Sequence, residues 1–187
     1  MRIIAGKYRG RKLKSPSSLL IRPTSDRLRE TLFNVIAPSI GGARFLDLCS
    51  GSGAIGIEAL SRGAAHVTFV DRSGKMCSLI EANLDLVLVS KEQVRVVQAD
   101  AAEFLRRSAA ESVEAWDLIF FDPPYDSDYV RALEIISTNA ASLLTDGARV
   151  IAEHRHKTEL PSSLGAIQRY RILKQGDAAL SFYETVT

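Results

Sequence analysis

An α/β fold with a mostly parallel sheet is predicted by three features of this 187-residue sequence. Strand-like apolar runs alternate with amphipathic helical segments from residue 44 onward. A glycine turn joins the first run to the first helix, and Gln175-Gly176-Asp177 splits the last two runs. Such alternation places helices on both faces of a parallel sheet, joined by right-handed crossovers. The Gly-Asp turn closes the sheet with an antiparallel hairpin, so seven strands are expected, five parallel and two in the hairpin.

The elements follow in chain order. Arg2-Ile3-Ile4-Ala5, Gly6, and Tyr8 to Leu13 read as a short hairpin, with turns or bulges at Gly6 and Gly10. Ser15-Pro16-Ser17-Ser18 is a loop. Thr24 or Ser25 caps a helix over 26–37, with Leu28, Leu32, Val35 and Ile36 on one face and Pro38 as its stop. Strands are expected at 44–48, 66–71, 93–98, 117–121 and 148–153, and helices near 54–62, 74–88, 101–110 and 127–143. Runs 168–174 and 178–186 form the closing hairpin. Trp116 is expected to pack at a strand's start, Phe182 on the core face of the last strand and Tyr183 on its surface face.

Composition bounds the function. A hydrophobic fraction of 46% supports an ordinary core: one domain over 39–187, with residues 1–38 as a basic extension. No apolar run is long enough to span a bilayer, the first residues lack the pattern of a secretory signal, and Cys49 and Cys77 make neither a metal spacing nor a disulfide framework. A cytoplasmic monomer is expected, with no membrane partner. Charge is unevenly spread. Residues 1–29 carry nine basic side chains against Asp26, while the remainder has 15 basic and 21 acidic residues. A basic end on a near-neutral chain predicts a polyanion partner. Arg2, Lys7, Arg9, Arg11, Lys12, Lys14, Arg22 and Thr24 are the candidate contacts, and the interleaved Ile3, Ile4, Tyr8 and Leu13 look anchored rather than disordered.

Residues 45–57, Phe-Leu-Asp-Leu-Cys-Ser-Gly-Ser-Gly-Ala-Ile-Gly-Ile, read as a strand, a glycine turn and a helix. Gly51-Ser52-Gly53-Ala54-Ile55-Gly56 matches the dinucleotide pattern, and Asp71 stands near the place of a ribose-binding acid. A nicotinamide dehydrogenase is therefore a competitor. Asp47 opposes it, because a pyrophosphate near that turn would meet a carboxylate. S-adenosylmethionine has no phosphate and carries a sulfonium and an ammonium, which a carboxylate favours. Asp47, Ser50, Gly51, Gly53, Asp71, Arg72, Asp100, Ala101 and Asp122 are the candidate cofactor residues. Asp100 is also a candidate helix cap, and Cys49 is read as a small residue in a crowded turn.

The chemistry sits in Asp122-Pro123-Pro124-Tyr125, at the end of the fourth strand. Ligands of open α/β sheets bind beyond the strands' carboxyl ends, and the first and fourth strands should be neighbours. An exocyclic amine of a base is a poor nucleophile because its lone pair is delocalised. The Asp122 carboxylate and the Pro123 carbonyl can accept its hydrogens. The two prolines stiffen the loop, and Tyr125 can stack on the base. These four are the candidate catalytic residues of an amino-methyltransferase that takes an unpaired or flipped base. No metal site is expected, since His154 and His156 lack a third ligand. Glu153 ends the fifth strand, where two readings stand: an approach to the substrate, or a surface acid, which is the preferred one.

The whole pattern resembles a known family. Its carriers are Met1-Arg-Ile-Ile-Ala-Gly-Lys-Tyr-Arg-Gly-Arg-Lys-Leu13, Arg22-Pro-Thr-Ser-Asp-Arg-Leu-Arg-Glu30, Asp47 through Gly63, and Asp122-Pro-Pro-Tyr125. Together they resemble the RsmD family of bacterial 16S ribosomal RNA guanine-N2 methyltransferases. The resemblance implies a class I S-adenosylmethionine methyltransferase fold, Rossmann-like, with a small basic hairpin and helix extension. It also implies transfer to the 2-amino group of one guanine, numbered 966 in that RNA, within an assembled or partly assembled small subunit. S-adenosylhomocysteine would be the product. Arg22 to Thr24 are implied near the cofactor's methionine end or the substrate entrance. Gln175-Gly176-Asp177-Ala178-Ala179 departs from the pattern in lacking an aromatic. Without the resemblance, adenine or cytosine in DNA or another RNA fits the site equally.

Overall fold

The computed structural model describes residues 1–16, 25–111, 115–124 and 128–186. Eight strands form one sheet: β1 (Arg44–Leu48), β2 (His66–Asp71), β3 (Val94–Gln98), β4 (Trp116–Phe121), β5 (Leu144–Arg155), β6 (Ser163–Leu164), β7 (Ile167–Gln175) and β8 (Ala178–Thr185). Their order is β3-β2-β1-β4-β5-β8-β7-β6. Pairs from β3 through β5 are parallel, and β5–β8, β8–β7 and β7–β6 are antiparallel. The helices are α1 (Asp26–Ile40), α2 (Ala54–Ser61), α3 (Gly74–Val87), α4 (Ala101–Ala110), α5 (Tyr129–Thr138) and α6 (Ala140–Leu143).

The expected seven strands become eight because β6 pairs its two residues with the start of β7, across Gly165. A two-residue strand has no periodicity to read. Pro38 does not stop the first helix. It lies inside α1, which runs on to Ile40 because buried Ile36 and Ile40 share the face packed on the core. The expected helix over 127–143 divides at Asn139 into α5 and α6, and residue 127 lies outside the described residues. Tyr183 is buried rather than on the surface, and its hydroxyl donates to the Pro161 carbonyl at 2.9 Å. A sheet covered on both faces buries both side-chain sets of a strand, so Phe182 and Tyr183 both enter cores.

Two hydrophobic layers flank the sheet. One holds Ile3, Tyr8, Leu13, Phe33, Ile57, Phe69 and Phe120. The other holds Leu46, Phe104, Trp116, Ile136 and Tyr183. The third glycine of the turn motif is explained by this packing. A Cβ on Gly56 would stand 2.3 Å from the Phe69 ring, so only glycine lets α2 lie this close to β2.

The basic segment is anchored on α2. Arg2 and Lys12 bridge antiparallel, and Ile3, Tyr8 and Leu13 are buried while the basic side chains from Arg2 to Lys14 are exposed. Buried Glu58 accepts from the N–H groups of Ile4 and Ala5 at 2.7 and 2.9 Å, and from Arg62 Nε at 2.8 Å. The Lys7 N–H donates to the Ser61 carbonyl at 2.7 Å. Buried Asn83 of α3 accepts from the Lys14 N–H at 2.8 Å, and its amide donates to the carbonyls of Lys14 and Ser52 at 3.1 and 2.9 Å. One side chain thus joins the basic segment to the glycine turn.

Gly6 makes this docking possible. Its φ is +80° and a Cβ would stand 1.8 Å from the Ser61 carbonyl oxygen. Gly6→Ala is therefore expected to cost roughly 3 kcal/mol, from left-handed strain plus displacement of the backbone. A urea titration checks it through a lowered midpoint at unchanged slope. An unchanged midpoint would mean that the segment is not held in this way.

Candidate active site

The carboxyl ends of the parallel strands open onto one cavity of about 700 Å3. β1 delivers Asp47 and then a turn in which Cys49, Gly51 and Gly53 all take positive φ, at 60°, 54° and 76°. Gly53, the residue before α2, has no side chain to cap the helix. Asp47 does that work from the strand: its Oδ2 accepts from the Gly56 N–H at 2.9 Å. Ser50 is spent on the scaffold. Its hydroxyl donates to the Asp47 carbonyl at 2.6 Å and accepts from the Val70 N–H at 3.0 Å, stitching β1 to β2. Asp71 holds the turn closed, accepting from the N–H groups of Gly51 and Ser73, each at 2.9 Å. Asp100 caps α4 by accepting from the N–H groups of Ala102 and Glu103 at 2.9 and 3.1 Å.

From β4, the Asp122 N–H reaches the Leu48 carbonyl at 3.3 Å, extending the β1–β4 ladder by one step. The first and fourth strands are indeed neighbours, which sets the Asp-Pro-Pro loop beside the glycine turn. Pro123 is buried, and Tyr129 Oη approaches its carbonyl at 3.5 Å.

Asp47, Ser50, Gly51, Asp71, Arg72, Asp100, Ala101, Asp122, Pro123 and Pro124 all line the cavity. Gly53 sits beneath it, against Ile80 and Phe69. Tyr125, Arg22 and Thr24 lie outside the described residues. Of the basic candidates, Arg2 pairs with Asp26 at 3.7 Å, and Lys7 and Arg11 stand over the Tyr8 ring at 5.3 and 5.5 Å. Arg9, Lys12 and Lys14 are exposed on the same segment. Met1 itself lines the cavity, so this segment adjoins the site.

Of the two readings of Glu153, the surface acid fails: the residue is 5% exposed and lines the cavity. The end of the fifth strand carries no motif, so the β4–β5 neighbourhood is what tells the two readings apart. His154 is also buried, its ring nitrogens 2.8 Å from the Arg155 carbonyl and 2.9 Å from Ser181 Oγ.

Among the described residues, six acids line this space, Asp47, Asp71, Asp100, Asp122, Asp128 and Glu153, with Arg72 and Arg131 as the basic ones. Burial, opposed by the Gly56 N–H and assisted by Asp71, pushes the Asp47 carboxyl up to about 7. Asp122 is raised well above the carboxylate range by desolvation, then by Glu153 and Asp47. The Cys49 thiol is pushed up to about 12, mainly by burial and then by the surrounding acids, so it stays protonated and unreactive. A cavity of this kind suits a cationic ligand and repels a pyrophosphate.

Residues 1–184 match the profile of a family described as conserved hypothetical protein 95. The chain is 38% identical over 184 residues to YlbH of Bacillus subtilis, covering 98% of each. It is 35% identical over 185 residues to the ribosomal RNA small subunit methyltransferase D of Escherichia coli, covering 98% of this chain and 89% of that one. The solved structure of yhhF from Escherichia coli aligns with a TM-score of 0.84 at 33% identity, covering 99% of this chain and 97% of that one.

Proposed function

The chain belongs to the family described as conserved hypothetical protein 95, and from that premise we propose that it methylates the 2-amino group of a guanine in 16S ribosomal RNA. The observation that carries the proposal is the Asp122-Pro123-Pro124 loop sharing one acid-lined cavity with Asp47 and the glycine turn. Relatives named as methyltransferases of small-subunit ribosomal RNA support the polymer. The guanine-N2 target, the assembled or partly assembled subunit as substrate, and a cytoplasmic monomer belong to the same proposal.

The donor is S-adenosylmethionine, which supplies an electrophilic methyl group on a sulfonium and leaves as S-adenosylhomocysteine. The donor set fits it. Asp47 would meet the ligand's positive charges, the Gly51 turn would let backbone approach without a side chain, Asp71 with Arg72 would hold the ribose, and Asp100 with Ala101 would hold the adenine.

The chain's own residues then prepare the amine. Asp122 and the Pro123 carbonyl accept its hydrogens, and Pro124 stiffens the loop. The methyl–nitrogen bond forms as the methyl–sulfur bond breaks, and the proton that the amine then loses is released to solvent. Acceptors placed in advance lower the barrier without reorganisation during transfer, and alignment of the two reactants supplies a further large share. Tyr125 is assigned to stacking on the base. Residues 1–38 hold the surrounding phosphates through Arg2, Lys7, Arg9, Arg11, Lys12 and Lys14, with Arg22 and Thr24 assigned beside them.

The test supplies labelled S-adenosylmethionine and small subunits lacking the modification. Label is expected in the RNA of those subunits. Label only in protein, or none in any nucleic acid, would contradict the proposal.

Asp47 gives donor binding a pH dependence. With its carboxyl at about 7, it is ionised and attractive above that pH and neutral below it. Its folded value lies above the ordinary 3.8, so ionising it costs the free protein stability as pH rises between the two values. A bound cation offsets that cost. Calorimetry is expected to show S-adenosylmethionine affinity falling below pH 7 by up to about tenfold per pH unit. Asp47→Asn, which keeps an acceptor for Gly56, should bind weakly with no such slope. A slope that survives in this variant assigns the titration elsewhere.

A further inference from the structure

Glu153 is absorbed neither by the glycine turn nor by the Asp-Pro-Pro loop. β4 and β5 run parallel with Phe121 opposite Ala152, so Asp122, just past β4, and Glu153, within β5, stand at the same level. On its other side Glu153 pairs with Leu180 of β8, and both residues are buried. Both residues line the same cavity, together with Pro123. Glu153 is also the largest charge influence on Asp122, so its field reaches the neighbouring carboxyl.

One wall thus offers three acceptors: Glu153, Asp122 and the Pro123 carbonyl. Guanine presents three matching donors in a row, N1–H and the two hydrogens on N2. Adenine and cytosine place a lone pair on the ring nitrogen beside their amino group, where a second carboxylate would repel it. Resting on the proposed methylation of an exocyclic amine, we infer that Glu153 accepts the guanine N1–H and selects guanine over bases whose adjacent ring nitrogen is unprotonated. Glu153 is then a specificity residue, distinct from Asp122 and Pro123, which hold the reacting amine.

The analogue 2-aminopurine probes this contact. It keeps the reacting 2-amino group but has a bare N1 and no O6, so the change of the ratio in the Glu153 variants is what reports on the N1 contact. Small subunits are prepared with guanine or 2-aminopurine at the methylated position, and kcat/KM is measured for each. Wild type is expected to prefer guanine by roughly 10- to 100-fold, the discrimination of one well-made hydrogen-bonded contact to a base edge. Glu153→Gln should bring that ratio below about threefold, since a carboxamide N–H can meet the bare nitrogen. Glu153→Met, apolar and of similar length, should do the same by removing both the attraction and the repulsion, and it guards against a Gln variant that does not fold.

A loss equal for both bases, leaving the ratio unchanged in whichever variant folds, marks Glu153 as structural and overturns its assignment alone. A wild-type ratio below about threefold also overturns it, whatever the variants do. Absence of any 2-amino methylation by wild type overturns the guanine reading together with this assignment.

Discussion

Asp122→Ala is expected to lower kcat by about 100- to 1000-fold, the cost of removing one preorganised acceptor from a reaction centre. Affinity for S-adenosylmethionine should stay within a few-fold of wild type. The two readouts separate because Asp122 stands at the β4 exit, whereas the glycine turn is held by Asp47 and Asp71 through the N–H groups of Gly56, Gly51 and Ser73. Removing Asp122 breaks none of those bonds. Calorimetry on the donor and single-turnover kinetics on the RNA give the two numbers. Comparable losses in both would mean that Asp122 holds the cofactor and that the amine is activated by other groups.

Neutralising Arg9, Arg11 and Lys12 together is expected to weaken RNA binding by about tenfold to a hundredfold at physiological salt. With about four phosphates engaged, wild-type affinity should fall with salt on a log–log slope of roughly −3 to −4, and the triple variant's slope should be near −1. Turnover at saturating RNA and the urea midpoint should change little. The fold tolerates these substitutions because Ile3, Tyr8 and Leu13 hold the segment down, and because Glu58, Ser61 and Asn83 bind its backbone rather than its charged tips. Among the described residues, Arg11 donates one side-chain hydrogen bond, to the Leu86 carbonyl at 3.4 Å. An unchanged salt slope would place the RNA on another face.

Local signals in the sequence located most of the fold. β1 and β2 end where expected because a glycine turn and an acid punctuate each exit. The nearest failures are those where a neighbour decides. Gly6 was legible as a turn, but the Ser61 carbonyl is what forbids a side chain there. Pro38 signals a helix end, yet burial of Ile36 and Ile40 carries α1 past it. Tyr183 alternates with Phe182 like a surface residue, and only the second layer over the sheet buries it.

The candidate site was legible to the same degree. Asp47, the glycine turn, Asp71, Asp100 and Asp122 announce themselves by position after strands, and the topology brings them to one cavity. Asp47 proved to have two duties, since it also caps α2 in place of the side chain Gly53 lacks. Glu153 stays ambiguous in the sequence because its meaning depends on lying beside Asp122 across a long-range strand pair, which no local window contains.

The identity of the methylated nucleoside tests the central claim most directly. Small subunits lacking the modification are incubated with the protein and S-adenosylmethionine, and their RNA is digested to nucleosides and resolved by mass. The expected product is N2-methylguanosine, at a single position of the small-subunit RNA. Methyl groups on adenine or cytosine in place of guanine, or no methylated nucleoside at all, would contradict it.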